Sequence, residues 1–410
     1  MAITDVYLPT DPILLSKNQI QVIVVSDLGS GSYPNLQMAL RVETWTDAYE
    51  FVQPHSDAGG VIFDITDIVG RLMSKGNCLD TDLSDSVAVI GADPIRSLSV
   101  FTLFAYEIYG DPPAPAGIPG YLGQIYVING GINWVAKKYS SFSSLIGAIG
   151  TRKFLSWYPT VKRVNPDQPE YLCWLAEYDS AYIDTLTDLY TGAHLNVKIY
   201  EHELPSTSLP LLEVTKHAAD FGYPVIVRYP VGWTQLGLQA ELDAESITRP
   251  ARRYEVCVMR GTTQLSEKRV FLLDPYQHID TVYLYFQNSI GGSDTVRFTG
   301  EVSETLESDK KFYTGFRMEN DPMDPFGILV NAVNPVVESF KANTGWITKK
   351  EYDWLKELMY AELVGDVTSG KYIPVKITSK KMEFNRNTDL YRLIIEYRYA
   401  FDDVVYTPAV

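Results

Sequence analysis

A chain of 410 residues is too long for one ordinary core, and an apolar content of 46% excludes global disorder, so two to four domains are expected. A formal net charge of −16 argues against nucleic acid as the main partner, because neutralising phosphates needs clustered Lys and Arg; it argues equally against anionic membranes.

Taken in chain order, residues 20–25 (IQVIVV), 36–42 (LQMALRV) and 61–65 (VIFDI) read as strands. Ile68, Val69, Leu72 and Met73 then fit one short helix, with Thr66 or Asp67 as its expected cap. Residues 97–108 are strongly apolar and alternate, which predicts a long strand. The stretch 109–123 (YGDPPAPAGIPGYLG) holds four prolines and four glycines, so it is an extended loop. It is either a linker or an exposed arm, and Pro112, Pro113 and Pro115 are candidate interface residues on it.

Strands are expected at 124–128, 154–158 and 171–176, with no assignment for 142–149 or 179–191. A second set follows at 196–200, 224–228, 236–242, 254–259 and 270–273. Val282, Leu284 and Phe286 alternate with Tyr283, Tyr285 and Gln287; Val296 and Phe298 repeat the pattern after a break. Between them Gly291 and Gly292 can take φ > 0, so 282–300 is a β-hairpin whose structural turn is Asn288, Gly291, Gly292 and Asp294. A Gly-Gly pair can also cradle a phosphate, but no helix pattern follows it.

Further on, 304–313 (ETLESDKKFY) is charged and expected to be exposed, and 318–327 (MENDPMDPFG) is a second proline loop. Thr348 and Glu351 form a capping box; Tyr352, Leu355, Leu358, Met359 and Leu363 then share one helical face, with Gly365 as the expected C′ residue. Strands at 372–378 and 390–399 complete the chain. In the latter, Tyr391, Leu393, Ile395, Tyr397 and Tyr399 share one face, and Arg392, Glu396 and Arg398 point the other way as a candidate interface strip, with Lys376 near. The expected fold is mainly β: immunoglobulin/fibronectin-like β-sandwich domains with a small C-terminal α+β unit. The expected division is 1–120, an N-terminal sandwich; 121–190, a connecting β-rich segment; 191–300, a second sandwich ending in the hairpin; and 301–410, the α+β unit.

No chemistry-bearing constellation emerges. His55, His194, His202, His217 and His278 form no H-E-x-x-H, and no G-x-S-x-G occurs. Glu201-His202-Glu203 reads as a solvated strand end, and Asp64 with Asp67 as helix capping rather than a glycosidase pair. Asn320, Asp321 and Asp324 lack the spacing of an EF-hand. Cys78, Cys173 and Cys257 form no C-x-x-C, so buried free thiols are expected, and neither a metal nor another cofactor is. The start of the chain has no basic or apolar leader, and no run reaches the ~18 apolar residues of a membrane span, so neither a signal peptide nor membrane insertion is expected. Tyr, at 28 against 16 Phe, suits half-exposed sheet faces and interfaces. Trp134, Trp157, Trp174, Trp233, Trp346 and Trp354 are either core or, if exposed, sugar platforms.

The hairpin segment YLYFQNSIGGSDTVRFTGE resembles a stretch of structural proteins from tailed bacteriophages and related prophages, through Asn288, Ser289, Gly291, Gly292, Asp294 and Thr295. The segment WLKELMYAELVGDVTSGKYIPVKITSKK and the later LYRLIIEYRYAF are similar to the end of the same proteins. IYVINGGINW, RKFLSWYP and PEYLCWL make a third, weaker match. Together these cover under half the chain, and none is a catalytic signature. The resemblance implies a non-enzymatic virion protein of the tail, tail tip or connector, made in the host bacterial cytoplasm. Its implied partners are other copies of itself, in a symmetric homo-oligomer, and neighbouring virion proteins. The alternative from another class is a carbohydrate-binding or adhesin-type sandwich, which glycan binding by a monomer would favour.

Overall fold

The computed structural model describes residues 3–9, 11, 13–28, 33–44, 47–55, 60–75, 88–90, 98–133, 141–147, 151–176, 192–204, 209–219, 225–274, 276, 278, 280–308, 312–315, 328–331, 336–385 and 390–400. The protein is mainly β, with several sheets in a sandwich-like arrangement. It divides into two compact units: Met1–Tyr276 with Gln287–Thr295, and Gln277–Phe286 with Val296–Val410.

In the first unit, the sheet of strands Ile3–Tyr7, Gln21–Ser26 and Gly60–Asp64 shares a core with a larger sheet. That larger sheet runs in the order Ile13–Leu15, Gly120–Ile128, Leu98–Tyr109, Gln37–Glu43, Ala48–Pro54. Alternation decides the faces: Val22, Val24, Val61 and Phe63 meet Met38, Leu40, Val42, Phe101 and Leu103 in one core. Burying each of the larger side chains contributes about 1.5–3 kcal/mol. Helix Thr66–Lys75 adds Val69, Leu72 and Met73 to the same core. Its expected cap is corrected. Thr66 lies inside the helix, where its Oγ1 accepts the Ile20 N–H at 2.9 Å. Asp64, two residues earlier, takes the Thr66 N–H at 3.1 Å instead.

The proline-rich stretch is not a linker. Leu98–Tyr109 and Gly120–Ile128 are antiparallel neighbours in one sheet, so 111–118 is the exposed end between them. There Ala114–Pro115 folds back onto Ile108 and Tyr109.

A second core lies between the sheet Val161–Val164, Arg269–Leu273, Arg253–Arg260, Ala193–Tyr200, Leu212–Ala219 and the sheet Tyr171–Ala176, Val225–Pro230, Ala88–Ile90. All six positions of Tyr171–Ala176 and of Val225–Pro230 are buried. Leu172, Trp174, Val227 and Tyr229 face the second core. Cys173, Leu175 and Ile226 face a third core, with Ile13, Leu15, Ile128, Phe142, Leu155 and Ile290. A strand covered on both faces has no reason to alternate, which explains the unbroken apolar run LCWLA. Strand Ala88–Ile90 comes from the first third of the chain yet pairs with Val225–Pro230. Residues on either side of positions 120 and 190 therefore share sheets and cores within one compact unit.

Two expected strands are absent. Residues 236–242 enter helix Leu238–Ala244, because Leu238 and Leu242 sit one helical turn apart among good helix formers and Gly237 turns the chain at φ 63°. Residues 154–158 are irregular, with the Leu155 N–H donating to Cys173 O at 2.7 Å. Strand Leu212–Ala219 and helix Phe142–Ile146, capped by Ser141, were not foreseen.

The sheet of the second unit runs in the order Ser293–Phe298, Val282–Gln287, Val364–Asp366, Ile373–Asn385, Leu390–Tyr399, Val336–Asn343, Val302–Ser308. Residues expected as an exposed charged segment thus begin in an edge strand, Val302–Ser308. Helix Lys349–Tyr360 starts at the expected capping box, with Thr348 Oγ1 accepting from Glu351 N and Glu351 Oε2 accepting from Thr348 N. It buries Trp354, Leu355 and Leu358 and packs on strand Leu390–Tyr399, whose Tyr391, Leu393, Ile395 and Tyr397 are buried. Gly365 does not end this helix. It lies in strand Val364–Asp366, where the ring of Tyr372 occupies the space of a Cβ. Lys380 Nζ serves the helix end instead, donating to the carbonyls of Leu358 at 2.7 Å and Met359 at 3.1 Å.

Candidate functional site

The hairpin turn is buried in the first unit rather than exposed. Asn288 and Asp294 are each 4% accessible. Asn288 closes the turn on itself: its Oδ1 accepts the N–H groups of Ile290 at 3.2 Å and Gly292 at 3.0 Å. Its Nδ2 donates to Leu155 O at 2.8 Å and to Asp294 Oδ2 at 3.0 Å. The other Asp294 oxygen accepts from Ser156 Oγ at 2.5 Å. Trp157 Nε1 donates to Ser289 Oγ at 3.0 Å, and Gly131 N donates to Ser289 O at 2.7 Å.

The two glycines serve different ends. Gly291 has φ +81°, where L side chains are strained. Gly292 does not, contrary to the expectation for the pair; there a Cβ would lie 2.0 Å from Leu155 O. Close backbone approach, not dihedral angle, requires glycine at 292.

Around this turn is a layer of buried charge that sequence reasoning missed. Lys162 Nζ donates to Thr295 O at 2.5 Å, pairs with Glu170 Oε1 at 2.6 Å and lies 4.6 Å from the centre of the Tyr158 ring. Arg269 donates to the carbonyls of Tyr158 at 2.5 Å and Ser156 at 3.2 Å, and to Glu267 at 2.8 Å. It thereby satisfies the irregular stretch that replaces the expected strand. Burial pushes the Glu170 carboxyl up from its ordinary range, against the pull of Lys162. Ser156, Tyr158, Lys162, Glu170, Arg269 and Asp294 line a cleft. The available signal was a charged residue inside each apolar stretch, as in VKRV and RVFLL.

The segments of the weaker match meet at this turn. Ile128 and Gly131, Leu155 to Trp157, and Cys173 all touch it, the last through a 3.3 Å contact of its thiol with Ser293 Oγ.

The other candidates lie elsewhere. Pro112, Pro113 and Pro115 are exposed on the first unit. In the second unit Arg392 is ion-paired with Glu383 and lies 5.2 Å from the centre of the Trp346 ring. Glu396 is 3.9 Å from Lys341, and Arg398 stands opposite Lys376 across the strands. The strip therefore carries both signs: Arg392 and Glu396 each have an opposite charge beside them, and Arg398 faces a like one. Arg249 pairs with Glu201 and Arg163 with Glu203; the two glutamates are half-buried and His202 between them is exposed. Trp174, Trp233 and Trp354 are core residues, while Trp157 and Trp346 are exposed. Cys173 and Cys257 are free and buried, and burial raises the pKa of both thiols. Trp134, Cys78, Asn320, Asp321 and Asp324 lie outside the described residues. Among the described residues no group of His, Cys, Asp and Glu is placed to hold a metal, and no helix is long and apolar enough to cross a membrane. No protein-family model and no curated protein matches the chain.

Proposed function

We propose that this chain is a non-enzymatic structural protein of a bacteriophage virion, acting in the tail, tail tip or connector as a symmetric homo-oligomer. Its finer fold in this reading is immunoglobulin/fibronectin-like sandwiching in the first unit and a helix-on-hairpin α+β unit at the C-terminus. The observation that carries the reading is the convergence at the buried turn. The hairpin and the segments at 125–134, 152–159 and 169–175, far apart in sequence, share one hydrogen-bonded site. Segments that resemble one protein class and also assemble into one site behave as a single inherited module. Exposed residues 111–118, which include Ile118 at 84% accessibility, supply a surface suited to a neighbouring copy.

The test is direct. Purified protein examined by sedimentation and negative-stain microscopy should form closed rings, and purified particles should contain the chain by mass spectrometry. A chain absent from particles and monomeric at every concentration overturns the reading. Glycan binding by that monomer would put an adhesin in its place.

A further inference from the structure

Lys162, Gln168 and Glu170 form a triad within the first unit, at 8%, 1% and 2% accessibility. Strand Val161–Val164 carries the amine. The chain then turns and brings the carboxamide and the carboxylate back beside it. Glu170 Oε1 accepts from Lys162 Nζ at 2.6 Å and also from Gln168 Nε2. One carboxylate oxygen thus touches an amine nitrogen and an amide nitrogen together. The carbonyl oxygen of the same amide, Gln168 Oε1, accepts the Asn165 N–H at 3.3 Å. These are the parts of an acyl transfer: a nucleophile, a proton carrier, a leaving nitrogen and a donor at the oxygen where charge develops.

We propose that Lys162 and Gln168 condense into an intramolecular amide, with Glu170 carrying the protons. The Lys162 ammonium gives a proton to Glu170 Oε1, and the neutral Nζ attacks Cδ of Gln168. Negative charge then gathers on Gln168 Oε1, against the Asn165 N–H. A second proton passes from Nζ, through Glu170, to Nε2 as the Cδ–Nε2 bond breaks. The Nζ–Cδ bond forms, one ammonia leaves through the cleft bounded by Tyr158, Glu170 and Arg269, and Glu170 is left protonated. No oxidant or co-reactant is needed. The product suits the site: the reaction consumes the Lys162 cation that pairs with Glu170, and burial favours the neutral carboxyl that remains. The new bond would tie strand Val161–Val164 to the loop entering Tyr171–Ala176, which belongs to the facing sheet.

Intact-mass measurement of the denatured full chain tests this. The expected mass is that of the sequence less one ammonia. Trypsin cuts after Arg163, which separates Lys162 from Gln168 in an ordinary chain; here the two peptides should stay joined. Lys162→Arg and Glu170→Gln should each restore the full mass. A wild-type chain at full mass overturns the proposal, and this reading needs no variant to fold. Loss of one water, which marks a Lys162–Glu170 amide, also overturns it. So does an ammonia loss that maps to Asn129 and Gly130, where cyclisation of an Asn-Gly pair releases ammonia without any cross-link.

Discussion

Replacing Gly292 with Ala adds one methyl group at the tightest point of the buried turn. The new Cβ would lie 2.0 Å from Leu155 O and 2.8 Å from Leu155 Cβ. Ordinary contact needs more than 3 Å, so the backbone of the turn or of residue 155 has to move by over an ångström. Forced overpacking of this kind costs about 1–3 kcal/mol. The movement also pulls against Asn288 Nδ2, which bonds the same Leu155 carbonyl, and against its bond to Asp294. Losing a buried hydrogen bond to a charged group adds roughly 1.5–3 kcal/mol. A total near 3–5 kcal/mol follows, since the two effects share atoms and do not simply add. The assay is guanidinium unfolding followed by Trp fluorescence, with Gly117→Ala as the control, because a Cβ there meets nothing within 4 Å. The control should change stability by under about 0.5 kcal/mol. If Gly292→Ala unfolds at the wild-type denaturant concentration, the turn is not packed against residue 155 and the reasoning fails.

Leu355→Ala should cost about 2–5 kcal/mol by thermal or chemical unfolding, because Leu355 is 1% accessible on the buried face of helix Lys349–Tyr360; a cost under 1 kcal/mol would deny it a core position. Asp64 is held below its ordinary value of 3.8 chiefly by the Thr66 hydroxyl, so its folded pKa lies below its unfolded one. Its contribution is then fully present above the unfolded pKa and lost as pH falls through the folded value; Asp64→Asn should flatten stability against pH in that acidic window, and an unchanged profile would refute the assignment. Deleting residues 112–119 should leave the circular dichroism spectrum native while reducing the assembled fraction in sedimentation, and assembly at the wild-type level would show that the exposed end has no part in it.

How much of this was legible in the sequence depended on how many faces an element buries. Strands buried on one face announced themselves by alternation, as in 36–42 and 390–399, and the capping box of Thr348 and Glu351 marked a helix start by local chemistry alone. Residues 236–242 misled because three leucines at even spacing fit both periods until Gly237 is known to turn the chain. The turn residues Asn288, Gly291, Gly292 and Asp294 were legible as a turn, but not as a buried one. Burial there depends on Leu155, Ser156 and Gly131, all far from the turn in sequence, and no local pattern carries that information. The same holds for Lys162 and Glu170. Each reads locally as an exposed charge, and it is their meeting, with Thr295 O and Gln168 Nε2 as further partners, that makes the interior position tolerable.

A polar site where an apolar plug could have served needs its own reason. Buried ion pairs are often no more stabilising than apolar side chains of equal volume. What the polar groups add is direction. An apolar turn could seat against Ile128 and Leu155 in several orientations, because dispersion has little angular preference. Asn288 cannot: its Oδ1 is committed to two N–H groups of its own turn, and its Nδ2 to Leu155 O and Asp294. Ser156 and Lys162 then fix the next two residues, Asp294 by its carboxylate and Thr295 by its carbonyl. A slip of one residue would take Ser156 Oγ from the Asp294 carboxylate and Leu155 O from the Asn288 amide, each loss costing about 1–3 kcal/mol, and would leave Lys162 with Glu170 but without Thr295 O. The network therefore selects one register for the turn, and the penalty for every other register is larger than the stability the network itself supplies.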